Sequence, residues 1–473
     1  MATDATPSRR TPQATWQDAL SRLSSLLLQK GDKSKAYLQA VRACDKAAQW
    51  RWALRLTQAV LRGHGKRPSA VLLTAAITAC SKAAQWTQAL SLLAGMPKQS
   101  IAQDVIVYNA TINACDRGWQ WVAALCLLRE MPFRGLDPDV VTYTAMISTC
   151  SKGKQWNKAL QLLHEMPGQE VRPNIVAVNA AISACEKGQM WEQALALFLE
   201  VNAMQLQQDA MTFNSLMTAC ERGRKWDWSL DLLEKMMRQE VEPTIVSLNA
   251  AISACSAGEQ WVLALSLLDA MAGFGLRHDI ISYSAAVDAC EKGHQWTVAV
   301  MLLEEVQTRG LRVDGILKST VISACGKAQE WPMALHLLDK SYTEAGDGDD
   351  DRHPTTFAWN AVITACEKAS KWELAVHVFW GLAESPRALS TSSLNAILQA
   401  CTTGSQWALV LETFLQAGSF GVHPDGLCFT KAIAACHEAG DHVQACALYR
   451  EAVEARLLQL SFNTEVQWRQ VGL

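Results

Sequence analysis

The sequence predicts an all-α protein, a solenoid in which tandem helical hairpins stack on one another. Three observations lead to this prediction: cysteine recurs at one phase of a 35-residue period, tryptophan recurs six residues after it, and each period holds two stretches with helical apolar spacing. A single hairpin of this size cannot bury both of its apolar stripes. Stacked neighbours can, because each hairpin covers the stripes of the next in a continuous core.

The composition of the chain excludes several classes of protein. Its 473 residues contain 43 Lys and Arg against 46 Asp and Glu, a formal net charge of −3, which is not the strongly basic balance of a histone-like protein. Hydrophobic residues make up 49% and charged residues 19%, which excludes disorder over the whole chain. No apolar run approaches the ~18 residues of a membrane span, and no CxxC pair indicates a zinc ribbon.

The cysteines and tryptophans define the period. Twelve of the 15 cysteines share one phase: Cys44, Cys80, Cys115, Cys150, Cys185, Cys220, Cys255, Cys290, Cys325, Cys366, Cys401 and Cys436. The tryptophans that follow them are Trp50, Trp86, Trp121, Trp156, Trp191, Trp226, Trp261, Trp296, Trp331, Trp372 and Trp407, with His442 in the last repeat. We expect both residue types in the core. Equivalent cysteines on packed helices should lie on the order of 10 Å apart, too far for disulfide bonds.

Twelve repeats cover residues 34–460, which is 427 of the 473 residues. Their bounds are 34–69, 70–104, 105–139, 140–174, 175–209, 210–244, 245–279, 280–314, 315–355, 356–390, 391–425 and 426–460. We expect residues 1–13 to be a short unstructured N-terminus, 14–33 to be a degenerate half repeat and 461–473 to be a C-terminal tail. The acidic insertion Gly346–Asp351 reads as a solvated loop rather than a calcium site, because it lacks the spaced ligands and the distal Glu.

The 140–174 repeat shows how each period forms two helices. Its two apolar stripes are Tyr143, Met146, Ile147 and Cys150, then Trp156, Ala159, Leu160 and Leu163. Both follow the spacing of a helix with one buried face. Gly153 is predicted to cap the first helix, and Pro173 is predicted to stop the second, since proline cannot continue a helix interior.

The first helix of each repeat also predicts a second, exposed face. At about 100° per residue, the second, fifth, ninth and thirteenth residues of the repeat fall on one stripe opposite the core. The second residue is apolar in nearly every repeat: Val71, Ile106, Val141, Val176, Met211, Val246, Ile281, Ile316, Phe357 and Leu427. The fifth is small and hydrogen-bonding: Thr74, Asn109, Thr144, Asn179, Asn214, Asn249, Ser284, Ser319, Asn360, Asn395 and Thr430.

The thirteenth residue is basic in nine repeats: Lys46, Lys82, Arg117, Lys152, Lys187, Arg222, Lys292, Lys327 and Lys368. An apolar contact to a base face, a polar group at a base edge and a cation at a phosphate are what a single-stranded nucleic acid requires. The alternative is that these cations only solvate or cap the end of each helix.

At this point the residues resemble a known family. The run Val-Val-Thr-Tyr-Thr…Ala-Leu-Gln-Leu-Leu-His-Glu-Met…Val-Arg-Pro-Asn in 140–174, and Val-Ile-Val-Tyr-Asn…Gly-Leu-Asp-Pro-Asp in 105–139, resemble the pentatricopeptide repeat in its plain 35-residue (P-type) form. The resemblance implies a right-handed α-solenoid that binds single-stranded RNA, one nucleotide per repeat, with its N-terminus toward the 5′ end. The second residues of adjacent repeats would sandwich each base, and the fifth residue with the last residue would select it.

The resemblance assigns a role to each matching position. The guanine readers are Thr74/Asp104 and Ser284/Asp314, the adenine reader is Thr144/Asn174, and the cytosine reader is Asn360/Ser390. The uracil readers are Asn109/Asp139, Asn179/Asp209, Asn249/Asp279 and Asn395/Asp425, while Asn214/Thr244 suggests a pyrimidine and Ser319/Thr355 is ambiguous. The base-sandwiching residues are Val71, Ile106, Val141, Val176, Met211, Val246, Ile281, Ile316 and Phe357. The phosphate contacts are Lys82, Arg117, Lys152, Lys187, Arg222, Lys292, Lys327 and Lys368.

These assignments predict the target 5′-GUAUYUGNCU-3′. The pairs Leu38/Ser69 and Thr430/Leu460 do not fit the scheme, so the terminal repeats are expected only to cap the stack. The rival interpretation is a protein-interaction scaffold, because helical solenoids also bind peptides in their grooves. A peptide scaffold has no need of the phase-locked fifth residue and its Asp or Asn partner.

No enzymatic activity, cofactor or metal is expected. A deaminase extension would need an HxE and a CxxC motif, and a nuclease would need clustered carboxylates on a separate fold; the sequence shows neither motif, and its one acidic cluster is the Gly346–Asp351 run. Single-stranded RNA is the expected partner, with protein partners in an RNA-processing complex and no membrane. The family implies a mitochondrion or chloroplast, while Met1–Gln13 lacks a clear presequence pattern.

Overall fold

The computed structural model describes residue 21 and residues 33–47, 49–62, 69–97, 101–204, 206–344, 355–384 and 389–454. Within these residues the regular structure is helical and contains no strand, which confirms the predicted all-α repeat solenoid. Residues 1–13, the acidic insertion Gly346–Asp351 and the tail 461–473 lie outside the described part of the chain, as does nearly all of the half repeat at 14–33.

From residue 33 to residue 454, the described ranges hold α-helices that alternate as the first and second helix of each repeat. The first helices are α1 Lys33–Lys46, α3 Ala70–Lys82, α5 Val105–Arg117, α7 Val140–Lys152, α9 Ile175–Lys187, α11 Ala210–Arg222, α13 Ile245–Ala257, α15 Ile280–Lys292, α17 Gly315–Lys327, α19 Thr356–Lys368, α21 Thr391–Thr403 and α23 Gly426–Glu438. The second helices are α2 Trp50–Arg62, α4 Trp86–Gly95, α6 Trp121–Phe133, α8 Trp156–Gly168, α10 Trp191–Ala203, α12 Trp226–Arg238, α14 Trp261–Gly273, α16 Trp296–Thr308, α18 Trp331–Glu344, α20 Trp372–Glu384, α22 Trp407–Gln416 and α24 His442–Glu454. A 3₁₀ helix, Ala417–Phe420, follows α22.

The chain divides into two compact stacks. The first stack comprises the residues up to Gly223 together with Asp227–Glu242, and the second comprises Arg224–Trp226 together with the residues from Pro243 onward. Within each stack, the first helices of successive repeats pack on one another in an inner row. Each second helix packs on the first helix of its own repeat and on that of the next, so it forms an outer layer.

The last residue of a repeat starts the first helix of the next one. Asp139 is the N-cap of α7, where its carboxylate accepts a hydrogen bond from the Thr142 backbone N–H at 2.8 Å. Asp104, Asn174 and Asp209 cap α5, α9 and α11 in the same way. A short acceptor at this position satisfies one of the free N–H groups of the first turn and typically stabilises a helix by about 1 kcal/mol. The residues assigned to base selection therefore also have a structural role that the sequence analysis did not foresee.

The turn after the first helix differs from its predicted geometry. Gly153 follows α7 as expected, but its φ is −76°, and the left-handed residue is the next one, Lys154, with φ 55°. Glycine at position 153 lets the two repeats approach closely, since a Cβ there would lie 2.7 Å from Cδ1 of the Trp121 ring in the preceding repeat unless the ring moved. Gly118 and Gly188 make the same close approach to Trp86 and Trp156.

The tryptophans are therefore wedges between repeats rather than core residues. Trp121 and its equivalents are half-buried. Where the next repeat has a glycine turn, as at Gly153, the Cδ1 and Cγ edge of the ring lies against that turn. The expectation that they lie in the core was wrong. The phase-locked cysteines, by contrast, are buried, and all 15 cysteines are free. Burial raises the pKa of the Cys115 thiol to about 11, which keeps it neutral and unreactive.

The second helix also ends earlier than predicted. α8 ends at Gly168 and contains Pro167 in its last turn, so Pro173 does not terminate it. The chain leaves α8 through Glu170 in the left-handed conformation, and the Val171 N–H donates to the Met166 carbonyl at 3.0 Å. Among the described residues, no helix is both long enough and apolar enough to cross a membrane.

Candidate nucleic-acid interface

A groove of about 750 Å³ runs along the inner row of the first stack, and its lining residues come from four successive repeats. Its walls include the second residues Val141, Val176 and Met211, the fifth residues Thr144 and Asn179, and the last residues Asn174 and Asp209. The structure thus brings together the three positions that the sequence analysis assigned to base binding. The floor adds the ninth residues Asn113, Ser148 and Ser183 and the sixth residues Ala145, Ala180 and Ser215, of which the sixth were not predicted.

The second residues are exposed apolar side chains, as expected. Their exposed fraction runs from 49% at Val71 to 66% at Ile106 and Ile316. The others in this range are Val141, Val176, Met211, Val246, Ile281, Phe357 and Leu427. Repeated apolar exposure at one phase is unusual for a surface that faces only water, and it is typical of a binding surface.

The fifth residues lie deeper than the helical-wheel argument placed them. The exposed fraction is 9% for Asn109, 6% for Asn179, 8% for Asn249 and 3% for Ser319. Thr74, Thr144, Asn214, Ser284, Asn360 and Asn395 are half-buried, and only Thr430 among these residues is exposed. The expected full exposure was wrong because the first helix of the next repeat packs over this position. The fifth residues form the floor of the groove, and the second residues form its rims.

Four Asn–Asp pairs are held together directly. The Nδ2 amide of Asn109 donates to Oδ1 of Asp139 at 3.2 Å, and Asn179 and Asn249 donate to Asp209 and Asp279 at 3.1 and 3.2 Å. In the fourth pair, Asn395 donates to both carboxylate oxygens of Asp425, at 3.2 and 3.0 Å. These are the four pairs that the resemblance assigns to uracil.

The third residue of the next repeat completes each network. The Thr142 hydroxyl donates to Oδ1 of Asn109 at 2.6 Å, and Thr212 and Ser282 do the same for Asn179 and Asn249 at 2.7 Å. Cys428 takes this place for Asn395, with its Sγ at 3.2 Å. Sequence reasoning missed the third position; its signal is a hydroxyl or thiol three residues after the Asp. The network fixes the orientation of the amide before any ligand arrives.

The carboxylates of these pairs are strong acceptors. Burial raises the pKa of Asp139, but hydrogen bonds from the Thr142 backbone, the Thr142 hydroxyl and the Asn109 amide outweigh it, so the pKa lies below the ordinary aspartate value. The pKa values of Asp209, Asp279 and Asp425 are lowered by the equivalent groups. All four therefore carry a full negative charge at neutral pH.

Threonine and serine at the fifth position behave differently from asparagine. The hydroxyls of Thr74, Thr144 and Ser284 donate to the carbonyl four residues earlier in their own helix, at 2.8, 2.6 and 2.7 Å. A hydroxyl bound in this way still has lone pairs that can accept a hydrogen bond from the groove. Ser319 also donates to its own helix, and it accepts from the Thr355 backbone N–H and hydroxyl at 3.0 and 2.8 Å.

Two further last residues, Thr244 and Asp314, are bound to the helices that they start. Thr244 is the N-cap of α13, where its hydroxyl accepts from the Ser247 N–H at 3.2 Å and its own N–H donates to the Ser247 hydroxyl at 3.1 Å. Asp314 is the N-cap of α17 and accepts from the Leu317 N–H at 2.8 Å. Both are half-buried. The Thr244 hydroxyl and one Asp314 oxygen thus serve as helix caps, a structural role beside the base-selecting role that the sequence analysis assigned to both residues.

The pair Ser284/Asp314 also lacks the direct bond of the Asn–Asp pairs. The Ser284 hydroxyl donates to the Ile280 carbonyl of its own helix, and within the described residues it makes no hydrogen bond to Asp314. In this repeat, therefore, the fifth and last residues are not bonded to each other, unlike those of the Asn–Asp pairs. A base at this repeat would have to contact the two side chains separately.

Asn360 stands apart from the other asparagines. Its Nδ2 donates to the Ser392 hydroxyl at 3.2 Å, while its Oδ1 is buried and has no hydrogen-bond partner within the described structure. The third residue that would satisfy this oxygen, Ser393, is instead bound to the last residue, Ser390, at 2.9 Å. A buried acceptor without a donor is costly, so this oxygen is ready to bind a donor.

The thirteenth-position cations mostly pair with the twelfth residue of the preceding repeat. Lys82, Lys152, Arg222 and Lys327 form ion pairs with Asp45, Asp116, Glu186 and Glu291 at 2.9, 2.5, 3.2 and 3.0 Å. Lys187 binds the Ser151 hydroxyl at 3.1 Å, and Lys292 binds both Ser256 and Asp288, at 3.1 and 2.7 Å. Arg117 and Lys368 make no ion pair among the described residues. The sequence analysis missed these links between repeats.

Comparisons with known proteins agree with this architecture. Models described as PPR repeat family, pentatricopeptide repeat domain and PPR repeat match residues 103–152 and 138–187, residues 196–257, and residues 357–384. No curated protein sequence matches the chain. The crystal structure of the pentatricopeptide repeat protein PPR10 from maize is 19% identical, and the match covers 94% of this chain and 68% of that one with a TM-score of 0.61.

A second solved structure, yeast Rmd9p in complex with a 16-nt target RNA, is 9% identical, with 92% of this chain and 78% of that one covered and a TM-score of 0.34. The sequence matches, each confined to repeats with the Cys and Trp period, and the stacked hairpins of the structure lead to one conclusion. The chain contains pentatricopeptide repeats at residues 103–187, 196–257 and 357–384, and it has the fold of a pentatricopeptide repeat solenoid.

Proposed function

We propose that the chain binds single-stranded RNA in a sequence-specific way, with one nucleotide per repeat of the plain 35-residue class. The observation that supports it most strongly is the groove of the first stack, where exposed apolar second residues flank a polar floor of fifth and last residues. Aliphatic rims can hold the two faces of a base, and the floor can hydrogen-bond to its edge. A peptide ligand would not require this strict alternation.

The fixed Asn–Asp networks fit the assignment to uracil. In the 105–139 repeat, the Asn109 oxygen is occupied by Thr142, and one amide hydrogen is occupied by Asp139. The second amide hydrogen remains to donate to a base carbonyl. Uracil presents such a carbonyl, whereas the amino groups of cytosine and adenine cannot accept it. The network therefore favours a base with an acceptor at this edge.

The unsatisfied oxygen of Asn360 fits the assignment of its repeat to cytosine. A buried Oδ1 without a donor favours a base that offers one, and the exocyclic amino group of cytosine does so. At the position of that amino group, uracil has the O4 carbonyl, which would face the Asn360 oxygen as a second acceptor. The 356–390 repeat thus differs from the four uracil repeats in one respect: no protein group donates a hydrogen bond to Oδ1 of its fifth-position asparagine.

Read from the 70–104 repeat to the 391–425 repeat, the proposed target is 5′-GUAUYUGNCU-3′. The direct test is a gel-shift assay with an oligonucleotide of this sequence and a scrambled oligonucleotide of equal composition. The matched RNA should bind tighter, because each mismatched base loses a hydrogen bond worth about 1–3 kcal/mol in comparable nucleic-acid readout. Equal affinities would overturn the base assignments. Absence of binding to either, with no 260-nm absorbance in the purified protein beyond that of its own aromatic residues, would favour the protein-interaction scaffold.

We also propose a role in RNA processing, stabilisation, splicing or translation within a mitochondrion or chloroplast, together with protein partners of an RNA-processing complex. The family resemblance supports this part of the proposal. Sequencing RNA that is crosslinked to the protein in its own cell would identify the transcript and its compartment. Nuclear or cytosolic transcripts among the crosslinked RNA, with organellar ones missing, would contradict the localisation.

A further inference from the structure

The first repeat has an unusual surface. Its first helix, α1, carries Lys35, Arg42 and Lys46 at the second, ninth and thirteenth positions. The second position is apolar in most other repeats, and the ninth is mostly Ser, Thr or Asn. All three cations are exposed. The first repeat therefore presents positive charge where the others present an apolar rim and a polar floor.

These three cations lie on one face of α1. At about 100° per residue the directions of successive cations differ by ~20° and ~40°, and at 1.5 Å per residue they follow one another at about 10 Å and 6 Å along the helix. The equivalent second and ninth positions of later repeats line the groove of the first stack. The cations of α1 consequently stand on the same inner row as the groove.

Among the described residues, no acidic partner neutralises this face. The one carboxylate on α1, Asp45, is bound to Lys82 of the next repeat at 2.9 Å. Lys35, Arg42 and Lys46 form no ion pair or hydrogen bond with other described side chains. The arginines of the outer helix α2 differ, because Arg51 and Arg55 lie 5.4 and 5.2 Å from the ring centres of Trp50 and Trp52.

The same repeat lacks the groups that read a base. Its fifth residue is Leu38, whose side chain has no donor or acceptor. Its last residue, Ser69, is committed to the N-cap of α3, where it accepts from the Leu72 N–H at 3.3 Å. A role as a cap of the stack does not explain why this repeat has three cations on its inner face.

We propose that Lys35, Arg42 and Lys46 form a phosphate-binding site that holds the RNA just 5′ of the sequence-specific segment, whatever its bases. This inference rests on the proposed RNA binding and on its 5′-to-3′ orientation. The ligand chemistry is an RNA phosphate, either an internal phosphodiester or a terminal 5′-monophosphate. Such a site would raise affinity and fix the register of the strand without selecting a base.

The test measures binding of the full chain to the matched RNA with and without a short abasic 5′ extension. Each extended RNA is made with a 5′-hydroxyl and with a 5′-phosphate, and a 3′ abasic extension of equal length is the positional control. The 5′ extension should raise affinity and steepen the dependence of log affinity on log salt by about 0.7 for each phosphate bound. A gain that needs the 5′-phosphate identifies the terminal group; a gain with either end identifies the internal phosphates.

Two double variants separate this site from the general charge of the repeat. Lys35→Gln with Arg42→Gln should abolish the gain from the 5′ extension, while Arg51→Gln with Arg55→Gln removes the same charge from the outer helix and should retain it. Circular dichroism checks that both variants keep their helices. A gain that survives the first variant, equals that of the 3′ extension, or does not occur would overturn the site while leaving the preference for the matched RNA intact. Failure of every RNA to bind would overturn the proposed function as well.

Discussion

The fifth-position asparagines use most of their hydrogen-bonding capacity inside the protein. Asn249 donates to Asp279 at 3.2 Å and accepts from Ser282 at 2.7 Å, which leaves one amide hydrogen for a further acceptor. Base preference at such a repeat then depends on the orientation imposed by two neighbours, since rotating the amide would break both bonds. The proposed reader is thus a group of three side chains rather than a single residue.

Replacing Asn249 tests this group. Asn249→Thr keeps Asp279 and recreates the Thr–Asp combination of Thr74/Asp104, so we expect the preferred base at this position to move from uracil toward guanine. Affinities for two oligonucleotides that differ only at this base measure the change, and a reversal worth about 1–3 kcal/mol is expected for one hydrogen-bonded base contact. Ser266→Ala, at an exposed position on the outer helix of the same repeat, is the control. An unchanged preference would contradict the assigned register.

The glycines beside the tryptophan wedges test the packing between repeats. Gly153→Ala places a Cβ 2.7 Å from Trp121 and should destabilise the protein by about 1–3 kcal/mol, as overpacking does. Gly168→Ala meets no atom within 4 Å and should be neutral or slightly stabilising. Urea-unfolding midpoints distinguish the two. Adding Trp121→Ala should cancel the further cost of Gly153→Ala, and simple additivity of the two losses would argue against the contact.

Side-chain burial along the first helix was only partly predictable. The apolar stripe containing Tyr143 and Cys150 followed from the helical period, and both residues are buried. The depth of Asn109 and Asn179 did not follow, because a helical wheel treats one helix alone and their burial comes from the next repeat. The burial of Trp121 was predicted wrongly for a related reason: its contact, Gly153, lies 32 residues later, in another hairpin.

Several first helices are tied to the preceding one through their last turns. Asp116 accepts from both Lys152 at 2.5 Å and Ser148 at 3.1 Å, which links α5 to α7. Lys187 reaches only the neutral hydroxyl of Ser151 across the next junction, from α9 to α7. The cations at the same position therefore differ in what they can offer to a phosphate, although sequence alone gives them one role.

This difference predicts two outcomes for one kind of substitution. Lys152→Gln breaks an ion pair and should lower stability modestly, by about 0.2–1 kcal/mol for a partly exposed pair, with little change in the salt dependence of RNA binding. Lys187→Gln should leave stability nearly unchanged and reduce the slope of log affinity against log salt by about 0.7. Unfolding curves and salt titrations of binding provide the measurements. Equal salt slopes for the two variants would contradict the distinction between an ion-paired Lys152 and a phosphate-binding Lys187.

The helix caps predict how stability depends on pH. Asp139, Asp209, Asp279 and Asp425 have pKa values below the ordinary value, so their contribution is complete above about pH 4 and is lost as the pH falls through the lower folded-state pKa values. The urea midpoint should be steady from pH 7 to about 5 and fall below about 4. Asp139→Asn should reduce the size of that loss. An acid transition of the same size in this variant would show that the pKa of Asp139 does not contribute.

Helix positions were easier to predict than helix ends. The 35-residue period predicts every hairpin, and α7 begins at Val140, the first residue of its repeat. Its start is set by Asp139 as the N-cap, a function that the sequence analysis gave only to base selection. The end of α8 was misplaced at Pro173, because proline in the last turn of a helix is tolerated and Pro167 lies there. Termination instead depends on the left-handed Glu170.

The whole molecule combines a net charge of −3 with a local row of cations and apolar rims. Several of those cations are already paired with carboxylates of neighbouring repeats, so electrostatic attraction alone cannot supply high affinity. In the proposed RNA complex, specific contacts to bases would contribute a larger share, which makes sequence selectivity the property to measure. The repeat period was enough to predict the solenoid. The hydrogen bonds and ion pairs between repeats could be identified only from the structure, because they join residues 30 or more positions apart.

Selection from a randomised single-stranded RNA pool, with sequencing of the bound fraction, tests sequence reading across all ten base-reading repeats at once. The structure and the repeat assignments predict enrichment of 5′-GUAUYUGNCU-3′, with uracil strongest at the positions of Asn109, Asn179, Asn249 and Asn395 and cytosine at that of Asn360. A bound pool with no enriched motif, or with one that cannot be aligned to the repeats one nucleotide at a time, would contradict it.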